Sequence, residues 1–135
     1  MTTSTTSTSS TTRTDPRLLQ GLRVTAVLTV LNVAYQSVTA GQLLGVGAPV
    51  TLHAAGAVTL HVFSGLAAIA AVLLWRRGGA PAWLATLAVV SSVLTFVQAA
   101  LGGYETLDLH VPGAMVLTVA AVWLAVASWG PAVRR

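Results

Sequence analysis

VTLHAAGAVTLHVFSGLAAIAAVLLWRR, residues 50–77, carries no formal charge from Val50 to Trp75 and then ends on Arg76 and Arg77. At about 1.5 Å rise per residue, such a run crosses a hydrocarbon core of about 30 Å as one helix. A membrane span is the reading that organises the rest of the chain. Three more apolar stretches have similar length, roughly 18–40, 82–101 and 109–129. Turn-rich segments separate them: GQLLGVGAP, RRGGAP and GGYETLD, with WGPAVRR closing the chain. Pro49 and Pro81 stand where a following helix begins, a place that tolerates the missing N–H.

Composition agrees. The 135 residues are 55% apolar and 7% charged, with mean hydropathy +0.80, which excludes an ordinary water-soluble domain. The formal charge of +4 comes from arginines at segment ends and forms no patch for nucleic acid. With no cysteine there is no disulfide, thiolate metal site or cysteine nucleophile. Phosphate-binding glycine loops, nucleophile elbows and metalloprotease motifs are also missing, so no catalytic residue is assigned.

The predicted fold is all-α: an integral membrane four-helix antiparallel bundle of two tandem helical hairpins over residues 17–130. A Ser/Thr-rich tail at 1–16 has no apolar face to bury and is expected to be disordered; 131–135 is a short basic tail. Arg13 and Arg17 precede the first span and Arg23 lies near its start, Arg76 and Arg77 sit between spans 2 and 3, and Arg134 and Arg135 end the chain. The other two loops carry no basic residue. The positive-inside rule then puts both termini in the cytoplasm of a multi-pass protein, here assigned to a bacterial inner membrane. A rival reading takes Val38-Thr39-Ala40 as a signal-peptidase site, but the preceding apolar run is longer than a usual signal core and contains Asn32 and Gln36. Trp75, Trp83 and Trp129, near segment ends, read as interfacial anchors.

The hairpins echo one another. LHAAGA (52–57) returns as LHVPGA (109–114), which pairs His53 with His110 and Gly56 with Gly113. YQSVTAG (35–41) resembles VQAALGG (97–103), pairing Gln36 with Gln98. Positions 53, 57, 60, 64, 68 and 71 form one helical stripe of mostly small residues, as do their counterparts 57 residues on. Thr25, Thr29, Asn32, Gln36 and Thr39 make a polar stripe, and Ser91, Thr95, Gln98 and Gly102 another; both are expected to face protein rather than lipid. A pseudo-twofold along the membrane normal would relate the hairpins.

Two histidines at matched depth on non-adjacent helices suit the axial positions of a b-type haem iron, with the glycines and alanines leaving room for a flat macrocycle. His53 with His110 is the first pairing. His61, about 12 Å deeper on the same helix, is the alternative ligand opposite His110. At these residues the chain resembles one four-helix half of haem A synthase, with Gln near the end of the odd helices and His near the start of the even ones. It is also similar to small four-helix membrane proteins with the same Gln, Gly and His placement. The resemblance implies haem bound near the outer membrane face. Departures limit it. The family's catalytic half carries a glutamate shortly before the helix 2 histidine and often an arginine after it. Here Pro49, Val50, Thr51 and Leu52 precede His53 and Ala54 follows, while Val58 and Val62 flank His61. The loop cysteines of many members are absent too. Haem binding is the most that carries over, and these departures put haem A synthesis in doubt.

Readings of other classes stand beside this one. In a structural or accessory subunit the histidines only hydrogen-bond, to Gln36, Gln98 or Thr118, and the small-residue stripes are packing surfaces. The outer side also offers haem propionates no Arg or Lys, leaving Tyr104, Thr51 and water. In a small transporter-like oligomer the polar stripes line a path, but there is no buried acid, so proton coupling falls to histidine. Glu105, Asp108 and His110 are a thin candidate for a divalent cation against a solvated loop. Expected partners are the bilayer, a membrane redox partner or quinone, and a second copy in a homo-oligomer, with no nucleic acid.

Overall fold

The computed structural model describes residues 14–133. The expected disordered tail as far as Arg13, and the basic ends Arg134 and Arg135, lie outside the described residues. Among the described residues there are four long helices and no strand: α1 (Pro16–Val46), α2 (Thr51–Arg76), α3 (Ala82–Ala100) and α4 (Leu107–Ala127). All four are long and apolar enough to cross a membrane.

The helix ends follow from local chemistry. Asp15 caps α1 by accepting the Arg17 and Leu18 N–H groups, with Pro16 in the first turn. The helix therefore begins before residue 17. It also outlasts its expected end at 40: Gly41 and Gly45 remain helical, and α1 stops only where Gly47 takes a left-handed conformation (φ 67°). The Ala48 N–H then reaches back to the Gln42 carbonyl at 3.3 Å. Isolated glycines cost a helix only about 1 kcal/mol each, too little to end one that has no better partner for its backbone. α2 ends in a Schellman turn. Gly78 (φ 75°) bonds back to Trp75 and the Gly79 N–H to Leu74, at 3.0 and 2.9 Å.

Each helix packs against its chain neighbour, and α4 returns to α1. Several contacts gather the start of α1 and the ends of α2 and α4 at one end, where the described arginines lie. Asp15 pairs with Arg77 at 3.3 Å, Thr14 donates to the Gly79 carbonyl at 3.4 Å, and Arg23 Nε donates to the Ser128 carbonyl at 3.1 Å. The Arg23 guanidinium also lies over the Trp129 ring at 4.3 Å.

The core is layered. At the arginine end Leu22, Leu74, Leu84 and Leu124 interlock with a set of small alanines. Val133, expected in the basic tail, is fully buried here, because the chain after Gly130 turns back as a short 3-10 helix instead of leaving the bundle. A smaller cluster of Val33, Leu60, Leu117 and Ala121 fills the middle. Beyond it the apolar filling gives way to Gln36, Thr39, His53, Gln98 and His110, and this end carries the candidate site.

Candidate functional site

Both small-residue stripes turn inward: Leu60, Ser64, Ala68 and Ala71 are buried, and so are Leu117, Ala121 and Ser128. That rotation brings His53 and His110, at the heads of the stripes, together. Their ring centres are 6.4 Å apart and the rings are steeply inclined, at 66°.

Each imidazole is tethered through Nδ1, by different means. The carbonyls of the last turn of α3 have no helical donors and must be capped locally. The Gly102 N–H takes Ala99 at 3.3 Å, the Thr106 hydroxyl takes Leu101 at 2.6 Å, and His110 Nδ1 takes Gln98 at 2.9 Å. A carbonyl only accepts, so His110 holds its proton on Nδ1 and a lone pair on Nε2. His53 Nδ1 instead meets the Thr39 hydroxyl at 3.0 Å. Around that hydroxyl stand three acceptors: the Tyr35 and Gln36 carbonyls at 3.2 and 3.1 Å and Gln36 Oε1 at 3.5 Å. Its single proton can go to one of these or to His53 Nδ1, so the contact admits either direction according to the His53 tautomer. Among the described residues no protein hydrogen bond reaches the Nε2 of either ring.

The glutamines of the repeat do corresponding jobs. Gln36 donates Nε2 to the His53 carbonyl at 3.1 Å and lies over Gly56; a Cβ there would come within 2.8 Å of the Tyr35 ring and 3.1 Å of the Gln36 amide nitrogen. A Cβ at Gly113 would overlap Gln98 Nε2 outright. The glycines, expected to leave room for a macrocycle, are thus notches filled by side chains. Length decides this: a glutamine reaches across to the next helix, and only a residue without Cβ lets it lie flat.

His61 sits apart from the pair. Its ring stacks on Phe96 of α3, with centres 4.1 Å apart at 26°, and its buried Nδ1 has no partner. Thr118, its counterpart in the repeat, donates to the Ala114 carbonyl of its own helix. Asn32, from the polar stripe of α1, bonds Thr59 of α2. Among the described residues no three His, Asp or Glu side chains gather to hold a metal ion, so Glu105, Asp108 and His110 form no such group. A cleft of about 350 Å³ opens between α1 and α4 instead, lined by Val30, Val33, Ala34, Ser37, Thr118 and Val122, with neither histidine in its wall.

How well does this set suit a haem? Two imidazoles that ligate one metal from opposite sides, with bonds of about 2 Å, place their ring centres roughly 6 Å apart. The ring centres match that spacing, and with Nδ1 engaged on each ring the Nε2 atoms are the nitrogens left to serve as ligands. Room for a flat ring is made only when the Tyr35 ring and the Gln36 amide move off Gly56 and the Gln98 amide moves off Gly113. The two amides are the far ends of flexible side chains; the Tyr35 ring moves as a rigid plate.

Thr39 was legible in the sequence only as one member of a polar stripe. Its three-residue step from Gln36 was the available signal, and it did not distinguish Thr39 from four other polar positions. No protein-family model, curated protein or solved structure matches the chain. The likeness to haem A synthase therefore stands on the four-helix topology and the Gln and His positions alone.

Proposed function

We propose that the protein is a small cytochrome-like membrane protein in which His53 and His110 hold a b-type haem near the outer face. The observation that carries this reading is the pair itself. Two inward imidazoles on non-adjacent helices, 6.4 Å apart, each keep Nε2 free by committing Nδ1 to a neighbour. In this orientation both termini and the Arg76–Arg77 turn lie in the cytoplasm, so the site faces the opposite side of a bacterial inner membrane. Bound there, the haem supplies one-electron exchange with a membrane redox partner or a quinone. The residues of the chain bind and orient: α2 and α4 present the ligands, and Gln36 and Gln98 clear or close the notches. Exposed Thr51 and Tyr104 are the polar groups at that end available to carboxylates.

The hydrogen bond from His110 to the end of α3 also favours a second reading, in which both histidines only hold helices together in a structural or accessory subunit. One experiment separates them. The protein is expressed with added haem and purified in detergent, and a reduced-minus-oxidised spectrum is recorded. A sharp bis-histidine signal lost in both His53→Ala and His110→Ala, and kept in His61→Ala, supports the cytochrome. A colourless, folded protein leaves the structural role. A signal kept in His53→Ala but lost in His61→Ala moves the ligand to His61.

A further inference from the structure

The two ligand candidates are tethered unequally, and the difference singles out one side chain. His110 leans on a backbone carbonyl, which remains whatever residue occupies position 98. His53 leans on the hydroxyl of Thr39, which a single substitution removes. Position 101, the counterpart of Thr39 in the second hairpin, is Leu101 and offers no hydroxyl. There α3 has already ended, and its exposed last carbonyls supply the acceptor directly. In the first hairpin α1 runs on to Val46, so carbonyls at this level, that of Gln36 beside His53 included, also serve the helix. The side chain of Thr39 adds a contact in the place that the helix end fills for His110. Thr39 does so while remaining buried, with the Tyr35 and Gln36 carbonyls in reach as acceptors for its own proton.

We infer that Thr39 is the positioning residue for His53: it holds the ring in the Nδ1–H form and presents Nε2 as the ligand nitrogen. The ligand role rests on the haem reading above, whereas the tautomer is a property of the protein alone. Hydrogen-bond partners of this kind set ring orientation and basicity, and losing one typically costs about 10–100-fold in metal affinity.

The test uses the full chain in detergent without haem, labelled with 15N-histidine. Only three imidazoles contribute, and each is assigned by its own alanine variant. The expected wild-type spectrum shows His53 and His110 both protonated on Nδ1. Thr39→Val keeps the branched shape but drops the hydroxyl; His53 should then shift toward protonation on Nε2 while His110 stays as it was, the latter also reporting an intact fold. Thr39→Ser should restore the wild-type pattern. His53 protonated on Nε2 in the wild type, or unchanged in a folded Thr39→Val, overturns the inference. A haem titration of the same proteins then reads the ligand role. Thr39→Val should bind about 10–100-fold more weakly than wild type, with Thr39→Ser close to wild type. If the tautomers are as stated and the wild type takes up no haem, the positioning stands and the haem reading falls.

Discussion

The side-chain amide of Gln98 lies against the bare backbone of Gly113, where a Cβ has no room, and Gly56 is covered by the Gln36 amide together with the Tyr35 ring. Two hairpins that share only a few residues have kept the same pairing of a long amide with a glycine. In each, the glutamine comes from an odd helix and the glycine sits three residues after a histidine on the next helix. The packing of the upper bundle and the freedom of its histidines are therefore linked through these amides.

Gly113→Ala should destabilise the protein by about 1–3 kcal/mol, the usual cost of forcing an extra methyl into a filled site. Unfolding in a denaturing detergent titration measures it. Combining the change with Gln98→Ala should recover much of the loss, since the methyl then meets empty space. Additive losses in the double variant would show that Gln98 is not what fills the notch.

His61→Phe should hold or raise stability, by up to about 1–2 kcal/mol. The stacking on Phe96 survives, and a buried nitrogen with no partner is removed. The same titration reads the change. A loss above about 1 kcal/mol would mean that His61 has a polar partner which this packing does not reveal.

Much of this architecture is legible in the hydropathy of the chain, because a membrane leaves backbone groups no partner except their own helix. The same physics explains the misreading of GQLLGV. Its glycines look like punctuation, yet the helix runs through them until Gly47 turns left-handed. Periodicity turned the small and polar stripes inward, except at exposed Gly102, and so brought His53 toward His110. It is silent on which neighbour fills a gap. Whether Gly56 and Gly113 stand open or carry a glutamine depends on side-chain reach across helices. Likewise, nothing in the spacing of Thr25, Thr29, Asn32, Gln36 and Thr39 says that only Thr39 meets an imidazole. Val133 was lost to the tail reading because its burial depends on one turn after Gly130.

Arg23→Ala should cost about 1–2 kcal/mol, because it removes both the hydrogen bond to the Ser128 carbonyl and the stacking over Trp129 that tie α4 to α1. Arg23→Lys should recover only part, since an ammonium offers no planar fork to satisfy both contacts. Limited proteolysis near the end of α4 checks the location of the effect. Cleavage there should speed up in Arg23→Ala and remain slow in the turn after α2.

The orientation is open to a direct test because the chain has no cysteine of its own, so any introduced thiol is unique. Tyr104, in the turn before α4, is 88% exposed, and Ala132 is exposed beyond its far end. Neither substitution changes a charge, so the arginine pattern that argues for cytoplasmic termini is undisturbed. In intact spheroplasts a membrane-impermeant maleimide should label Tyr104→Cys and leave Ala132→Cys untouched until the membrane is permeabilised. The reverse pattern would put the histidine pair on the cytoplasmic side and any electron exchange with it. Labelling of both sites in sealed cells would mean a mixed topology, which arginines confined to alternate loops should prevent.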